Sequence, residues 1–186
     1  MNRFFYRFRG ILVSPPLVFV AICHHGEIEA DTVIWSVGIS IFMLGVFLRI
    51  WAQQHLCYRL KGPRGLTTTG PYAFVRNPVY IGNMVMGLGI TVVSELIWFI
   101  PVTLFRFSGV YFFAVRFEED NLSQSFSEPY RKYAKEIPRW IPRIRSFKHL
   151  DLKNQKFRAS VIQEIHCLLL LLPYFLKEII LSWFGY

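Results

Sequence analysis

The chain is predicted to be an all-α integral membrane protein with about five transmembrane helices, the third and fourth of which form a tight helical hairpin. Three observations carry this prediction. Apolar residues come in runs at 11–23, 33–52, 79–93, 96–115 and 165–184. Hydrophobic residues make up 53% of the 186 positions and aromatics 17%, and the mean hydropathy of +0.35 is too apolar for an ordinary soluble domain. Lys and Arg cluster on alternate sides of those runs.

About 20 apolar residues cross a bilayer core. The first run is shorter and contains Ser14-Pro15-Pro16, so it spans with help from Phe8 and its flanks, or kinks. Arg3, Arg7 and Arg9 precede it as in a signal peptide, but no small-x-small cleavage site follows, which favours a retained helix. The second run reaches full length and repeats small residues every seven positions at Gly38, Gly45 and Ala52, with Arg49 on the same face. The third and fourth runs are separated by Ser94-Glu95, and this forces the entrance of one and the exit of the other to be spatial neighbours. The fifth is interrupted by Pro173 and Lys177-Glu178, and either crosses with Lys177 snorkelling or lies partly in the interface.

Charge decides topology and partner class. With the N-terminus cytoplasmic, the inner segments hold Arg3, Arg7, Arg9, Arg59, Lys61, Arg64, Arg76 and eleven Lys/Arg from residue 116 to 158. The outer loops hold only Glu27, Glu29, Asp31 and Glu95 among charged residues, a strong positive-inside pattern. The net charge of +9 therefore describes orientation and attraction to anionic headgroups, not nucleic-acid binding. Cys23, Cys57 and Cys167 are scattered, and His24-His25 lacks companion ligands, so neither a disulfide framework nor a metal site is expected.

Two polar pieces then fall on one side. Gly70-Pro71-Tyr72-Ala73-Phe74-Val75-Arg76-Asn77-Pro78-Val79-Tyr80-Ile81-Gly82 is a turn-rich loop entering the third helix, with Asn77 suited to the N-cap and Pro78 to the first helical position. Glu118-Glu119-Asp120 places adjacent carboxylates where the fourth helix leaves. Arg49, Arg116 or a ligand ammonium are candidate partners for them. Gly82, Gly87 and Gly89 either permit close helix packing or leave room for a ligand. Arg106, midway along the fourth run, costs roughly 2.5–3.5 kcal/mol on insertion scales and is expected to face the bundle and pair with Glu95, Glu178 or a substrate anion.

Arg49-Ile50-Trp51-Ala52, the stretch from Leu66 through Gly82, Glu118-Glu119 with Leu122 and Phe126, Tyr130-Arg131-Lys132-Tyr133 and Ile137-Pro138-Arg139-Trp140-Ile141-Pro142 occur in order. Together they resemble the superfamily of isoprenylcysteine carboxyl methyltransferases and phospholipid methyltransferases, small integral-membrane enzymes that use S-adenosylmethionine. The resemblance covers residues 33–142 as a methyltransferase-like core of a single membrane domain, 1–186, with residues 143–186 as basic connector and C-terminal membrane helix. It implies a cytoplasmic cofactor-binding region formed by loops and helix ends, where a methyl group passes to a lipophilic carboxylate, amine or thiol acceptor. Glu118 and Glu119 would hold the cofactor's ammonium, and Arg76 and Asn77 would lie near its carboxylate or ribose. Tyr72 and Tyr80 would pack against adenine or face the sulfonium, with Pro78 and Gly82 completing the cofactor site. Arg49 and Arg106 are the candidate catalytic residues. Two positions depart from the pattern: Asn77 stands where isoprenylcysteine enzymes have His, and Ser127 where many members have Gly. The competing classes are an NADPH-dependent membrane reductase of the related sterol-reductase type and a non-catalytic membrane module.

Overall fold

Glycine spacing sets the central helix pair. In the computed structural model, which describes residues 1–23, 31–56, 65–143 and 156–184, the helices are α1 (Asn2–Ile22), α2 (Asp31–His55), α3 (Pro78–Val93), α4 (Ile100–Glu136), α5 (Phe157–Glu164) and α6 (Leu172–Phe184). His24-His25, Glu27, Glu29, Cys57, Arg59, Lys61, Arg64, the connector from 144 to 155 and the Glu178 side chain lie outside the described residues. Helices α2 and α3 run antiparallel, with Gly38 against Gly89 and Gly45 against Gly82. A Cβ on Gly89 would sit 2.5 Å from the Phe42 backbone nitrogen, and one on Gly45 2.7 Å from that of Met86. The seven-residue repeat thus lets two backbones touch, the main source of helix association where lipid is as apolar as the side chains.

Helix α1 packs along α4, with Val13 buried among Phe107, Val110 and Tyr111 and the Phe5 ring 4.7 Å from that of Phe113. It is continuous through Pro15 and Pro16, and its 21 residues span roughly 30 Å. Each proline removes the N–H that would have reached four residues back. Both stranded carbonyls find other donors: the Ser14 hydroxyl donates to Ile11 O at 2.9 Å, and Arg106 Nε donates to Leu12 O at 2.8 Å. This corrects the expectation for Arg106. It lies on the exposed outer face of α4 and not toward the bundle, and the partner found for it among the described residues is the backbone carbonyl orphaned by Pro16.

The hairpin turns at Ser94-Glu95, with Glu95 in the left-handed region at φ 63° and buried instead of presented to water. After a short 3₁₀ turn, Ile97–Phe99, α4 continues well past the end of its apolar run, so Glu118 and Glu119 sit on helix. It breaks at Ser127, whose φ of 44° and ψ of −117° are natural for glycine and strained for other residues. The family-like Gly is therefore replaced at a position where the backbone asks for it.

The C-terminal segment begins eight residues before its apolar run, at Phe157, and continues as α5, a 3₁₀ stretch Ile165–Leu171 and α6. Glu164 lies beside Arg49, Tyr174 donates to Leu17 O at 2.7 Å, and Lys177 Nζ donates to Cys23 O at 2.9 Å. The segment therefore runs the length of the bundle, and Lys177 reaches the end opposite Arg3, Arg7 and Arg9. The described residues form helices and no strand, and four helical segments are long and apolar enough to cross a membrane, with α3 shorter.

Candidate functional site

A cavity of about 760 Å³ opens among the start of α1, the end of α2, the start of α3 and the stretch of α4 around its break. The 3₁₀ turn Gly70–Ala73 forms one wall. Gly70 has φ 59°, and a Cβ there would fall 2.4 Å from the His55 ring, so only glycine lets this loop close on α2. His55 Nδ1 and Thr69 Oγ1 are hydrogen-bonded at 3.0 Å behind it. The segment after the Ser127 break folds back over the cavity. Tyr133 donates to Tyr72 O at 2.8 Å, and the backbone N–H groups of Arg76 and Arg143 donate to Pro138 O and Phe74 O, both at 2.9 Å.

The two adjacent glutamates have different surroundings. Glu119 is buried and enclosed: Arg139 donates to it from NH2 at 2.7 Å and from Nε at 3.0 Å, Asn77 Nδ2 donates at 3.1 Å, and Arg76 NH1 lies at 3.6 Å. Hydrogen bonding to Glu119 raises the Arg139 pKa above its ordinary value. Among the described residues Arg139, Arg76 and Asn77 pair with Glu119, and not the candidates Arg49 and Arg116; Arg116 lies over the Phe112 ring at 5.4 Å. Asn77 and Pro78 take the N-cap and first helical positions, yet the Asn77 side chain makes no capping bond and is spent on Glu119. Glu118 is half-buried, receives one hydrogen bond from the Tyr80 hydroxyl at 2.7 Å and faces the cavity. The Tyr80 ring meets Tyr111 edge-on at 4.9 Å.

Of the residues singled out in the sequence, Arg49, Tyr72, Arg76, Asn77, Tyr80, Glu118 and Glu119 line the cavity together. Pro78, Gly82 and Arg106 do not. Gly82 packs on α2, where a Cβ would lie 2.8 Å from Arg49 Cγ, so the packing reading of this glycine replaces the ligand-space one. Arg139, Gln53, Asn83, Tyr6, Arg9 and Glu164 are not among the site residues expected from the sequence. Glu164 Oε2 accepts from Arg49 Nε at 2.7 Å, and Asn83 Oδ1 accepts from Arg49 NH1. Glu164 stands one residue before the apolar run and reads as connector unless the helix-compatible stretch from Phe157 is joined to it.

Gln53 Oε1, Thr67 Oγ1 and Arg76 Nε are buried with no hydrogen-bond partner among the described residues, and all three residues line the cavity. Buried polar atoms are costly unless partnered, so this is a place built for polar contacts from a bound molecule or water. Among the described residues, no group of three or more His, Cys, Asp or Glu side chains is placed to hold a metal ion.

The model of the phospholipid methyltransferase family matches residues 33–129, more than half of the chain. The chain belongs to the phospholipid methyltransferase family. Curated relatives include the nickel-cobalt-cadmium resistance protein NccN of Alcaligenes xylosoxydans xylosoxydans, 31% identical over 74% of this chain and 64% of the relative. The cobalt-zinc-cadmium resistance protein CzcN of Cupriavidus metallidurans is 30% identical over 57% of this chain and 50% of the relative. A protein-S-isoprenylcysteine O-methyltransferase of Schizosaccharomyces pombe is 31% identical over 58% of this chain and 49% of the relative. The chain thus spans about half to just under two thirds of the lengths of these relatives. No solved structure matches it. It is an integral membrane protein of a methyltransferase family, as the resemblance read from its motifs implied.

Proposed function

We propose that this phospholipid methyltransferase family member moves a methyl group from S-adenosylmethionine to a lipophilic acceptor at the cytoplasmic face of the membrane. The observation that carries the reading is the polar cavity itself: a carboxylate facing it, Glu118, and buried unpartnered atoms on Gln53, Thr67 and Arg76. Its volume of about 760 Å³ lies within the roughly 300–1,000 Å³ common for small-molecule sites.

The donor set fits this cofactor. Glu118 is the carboxylate for its α-ammonium, with the Tyr80 hydroxyl holding that carboxylate in place. Arg76 Nε is the donor for its carboxylate, and Gln53 and Thr67 offer polar atoms for ribose or adenine. Tyr72 and Phe126 give aromatic surface for the ring or the sulfonium. Glu119 acts one step back: by neutralising Arg139 and Arg76 and holding Asn77, it ties the segment after the Ser127 break to the entrance of α3. S-adenosylmethionine supplies an electrophilic methyl on sulfonium, so the protein's task is alignment and exclusion of water. Asn77 does not titrate, and a carboxylate or thiolate acceptor needs no base from it.

The positive-inside bias supports the cytoplasmic placement, because the cavity lies at the end of the bundle that carries Arg3, Arg7 and Arg9. An apolar cavity of about 510 Å³ between α3 and α4, lined by Met84, Leu104, Phe112 and Trp140, supports a lipophilic acceptor approaching from the bilayer.

The test supplies the purified protein in detergent with methyl-labelled S-adenosylmethionine and a host lipid extract. Label is expected in the lipid fraction, and calorimetry is expected to show binding of S-adenosylmethionine and none of NADPH. Binding of NADPH alone would move the chain to the reductase class.

A further inference from the structure

The cavity has a second polar pole, deeper in the bundle and opposite in sign to Glu118. Asn83 follows Tyr80 by three residues in α3, so the Arg49–Asn83 pair lies about 4–5 Å further into the membrane than the Tyr80–Glu118 pair. A guanidinium has five N–H donors in a planar fork. Glu164 and Asn83 each engage one nitrogen of Arg49, which still lines the cavity with donors to spare. Glu164 is only 2% exposed, at a depth where a carboxylate is costly unless paired, and it comes from a segment outside the family-matched residues 33–129. The C-terminal segment therefore acts on the site through Arg49.

The geometry points to Glu164 as a positioning residue that holds the Arg49 fork toward the cavity to receive the anionic head, carboxylate or phosphate, of the lipophilic acceptor. The inference rests on the methyltransferase reading for the word acceptor alone; the anion site stands on its own contacts. An arginine fork matches the paired oxygens of such a head, and a second partner fixing its orientation makes the match selective against neutral heads. The two poles then divide the cavity: a cationic, water-soluble cofactor on the Glu118 side and an anionic, lipid-borne acceptor on the Arg49 side.

The full chain in nonionic detergent is titrated with a fluorescent C18 fatty carboxylate, the corresponding alkyl phosphate and the neutral methyl ester. The protein is expected to bind at least one of the anions about tenfold or more tightly than the ester, a difference of the size of one charge-assisted hydrogen bond. Arg49→Lys is expected to abolish that preference, and Glu164→Leu, which removes the acceptor that orients Nε, to reduce it several-fold. Glu164→Gln keeps an acceptor for Nε and is expected to retain the preference, while the affinity for the ester stays put. The double variant Arg49→Met with Glu164→Leu removes both charges from the bundle and is expected to fold with no anion preference, so a folding defect in Glu164→Leu leaves the proposal testable. Equal binding of all three amphiphiles by the wild type overturns the proposal. So does an anion preference retained in full by Glu164→Leu or retained at all by the double variant. Calorimetry with S-adenosylmethionine on the same samples separates the two readings, because Glu164→Leu is expected to leave it unchanged. Failure of the wild type to bind S-adenosylmethionine would contradict the methyltransferase reading without touching the anion titration.

Discussion

The outer face of α1 and α4 and the cavity end of α2 and α3 each hold an arginine at membrane depth, and they treat it in opposite ways. Arg106 closes a deficit: Pro16 leaves Leu12 O without its helical donor, and Arg106 Nε supplies one. Arg49 leaves a surplus, since Glu164 and Asn83 orient it while it still faces a cavity lined by unpartnered polar atoms. The same contrast separates Glu119, surrounded by Arg139, Arg76 and Asn77, from Glu118, held by one tyrosine. Residue type and hydropathy depth are therefore poor guides to role inside a bilayer. What counts is whether the protein has already spent the group's hydrogen-bonding capacity.

Substitutions in the closed regions are expected to cost stability, and those facing the cavity to cost binding. The largest loss belongs to Gly89→Leu, because its Cβ would fall 2.5 Å from backbone that cannot rotate away. The cost is expected at or above the ~1–3 kcal/mol of ordinary overpacking, seen as loss of monodisperse protein in detergent size exclusion. Glu119→Gln comes next. It strips the counter-charge from Arg139 and Arg76, and since the Arg139 side chain is 36% exposed the loss should fall at or below the low end of the ~3–5 kcal/mol for breaking a buried pair. A thermal melt in detergent checks it. Arg106→Met is expected to lower the melt by ~1–3 kcal/mol, because it leaves Leu12 O without a donor on a lipid-facing surface, and to leave S-adenosylmethionine affinity unchanged. Adding Pro16→Ala should restore the melt, because alanine returns the missing N–H to Leu12 O. A cofactor defect in Arg106→Met would instead return that residue to the site. The smallest effect is Ser127→Gly, expected to raise stability by about 1 kcal/mol or less through relief of the φ 44° conformation.

Much of this contrast was legible in the residues, and the part that was not has a physical reason. Hydropathy runs reveal spans, and the two-residue turn at Ser94-Glu95 brings Arg76-Asn77 to Glu118-Glu119 because a tight hairpin leaves no alternative. The seven-residue repeat on α2 was readable, but its partners Gly82 and Gly89 became identifiable only once the antiparallel register was known. Arg106 was misread because a proline advertises the N–H it lacks and hides the carbonyl it strands four residues earlier. Glu164 was missed because apolar runs define a helix by its greasy part, and a buried ion pair at the helix margin looks like solvent-exposed connector. Arg139 lay in a motif whose sequence gave no sign of folding back across the Ser127 break.

The central claim, that Glu118 is the carboxylate left available for a cationic cofactor while Glu119 is committed to the protein, is tested most directly by calorimetric titration of S-adenosylmethionine into wild type and Glu118→Gln at one ionic strength. Loss of a charge-assisted hydrogen bond worth ~1.5–3 kcal/mol predicts affinity weakened about 10- to 150-fold with an unchanged thermal melt. Wild-type affinity in Glu118→Gln, or no binding by the folded wild type, would contradict the account.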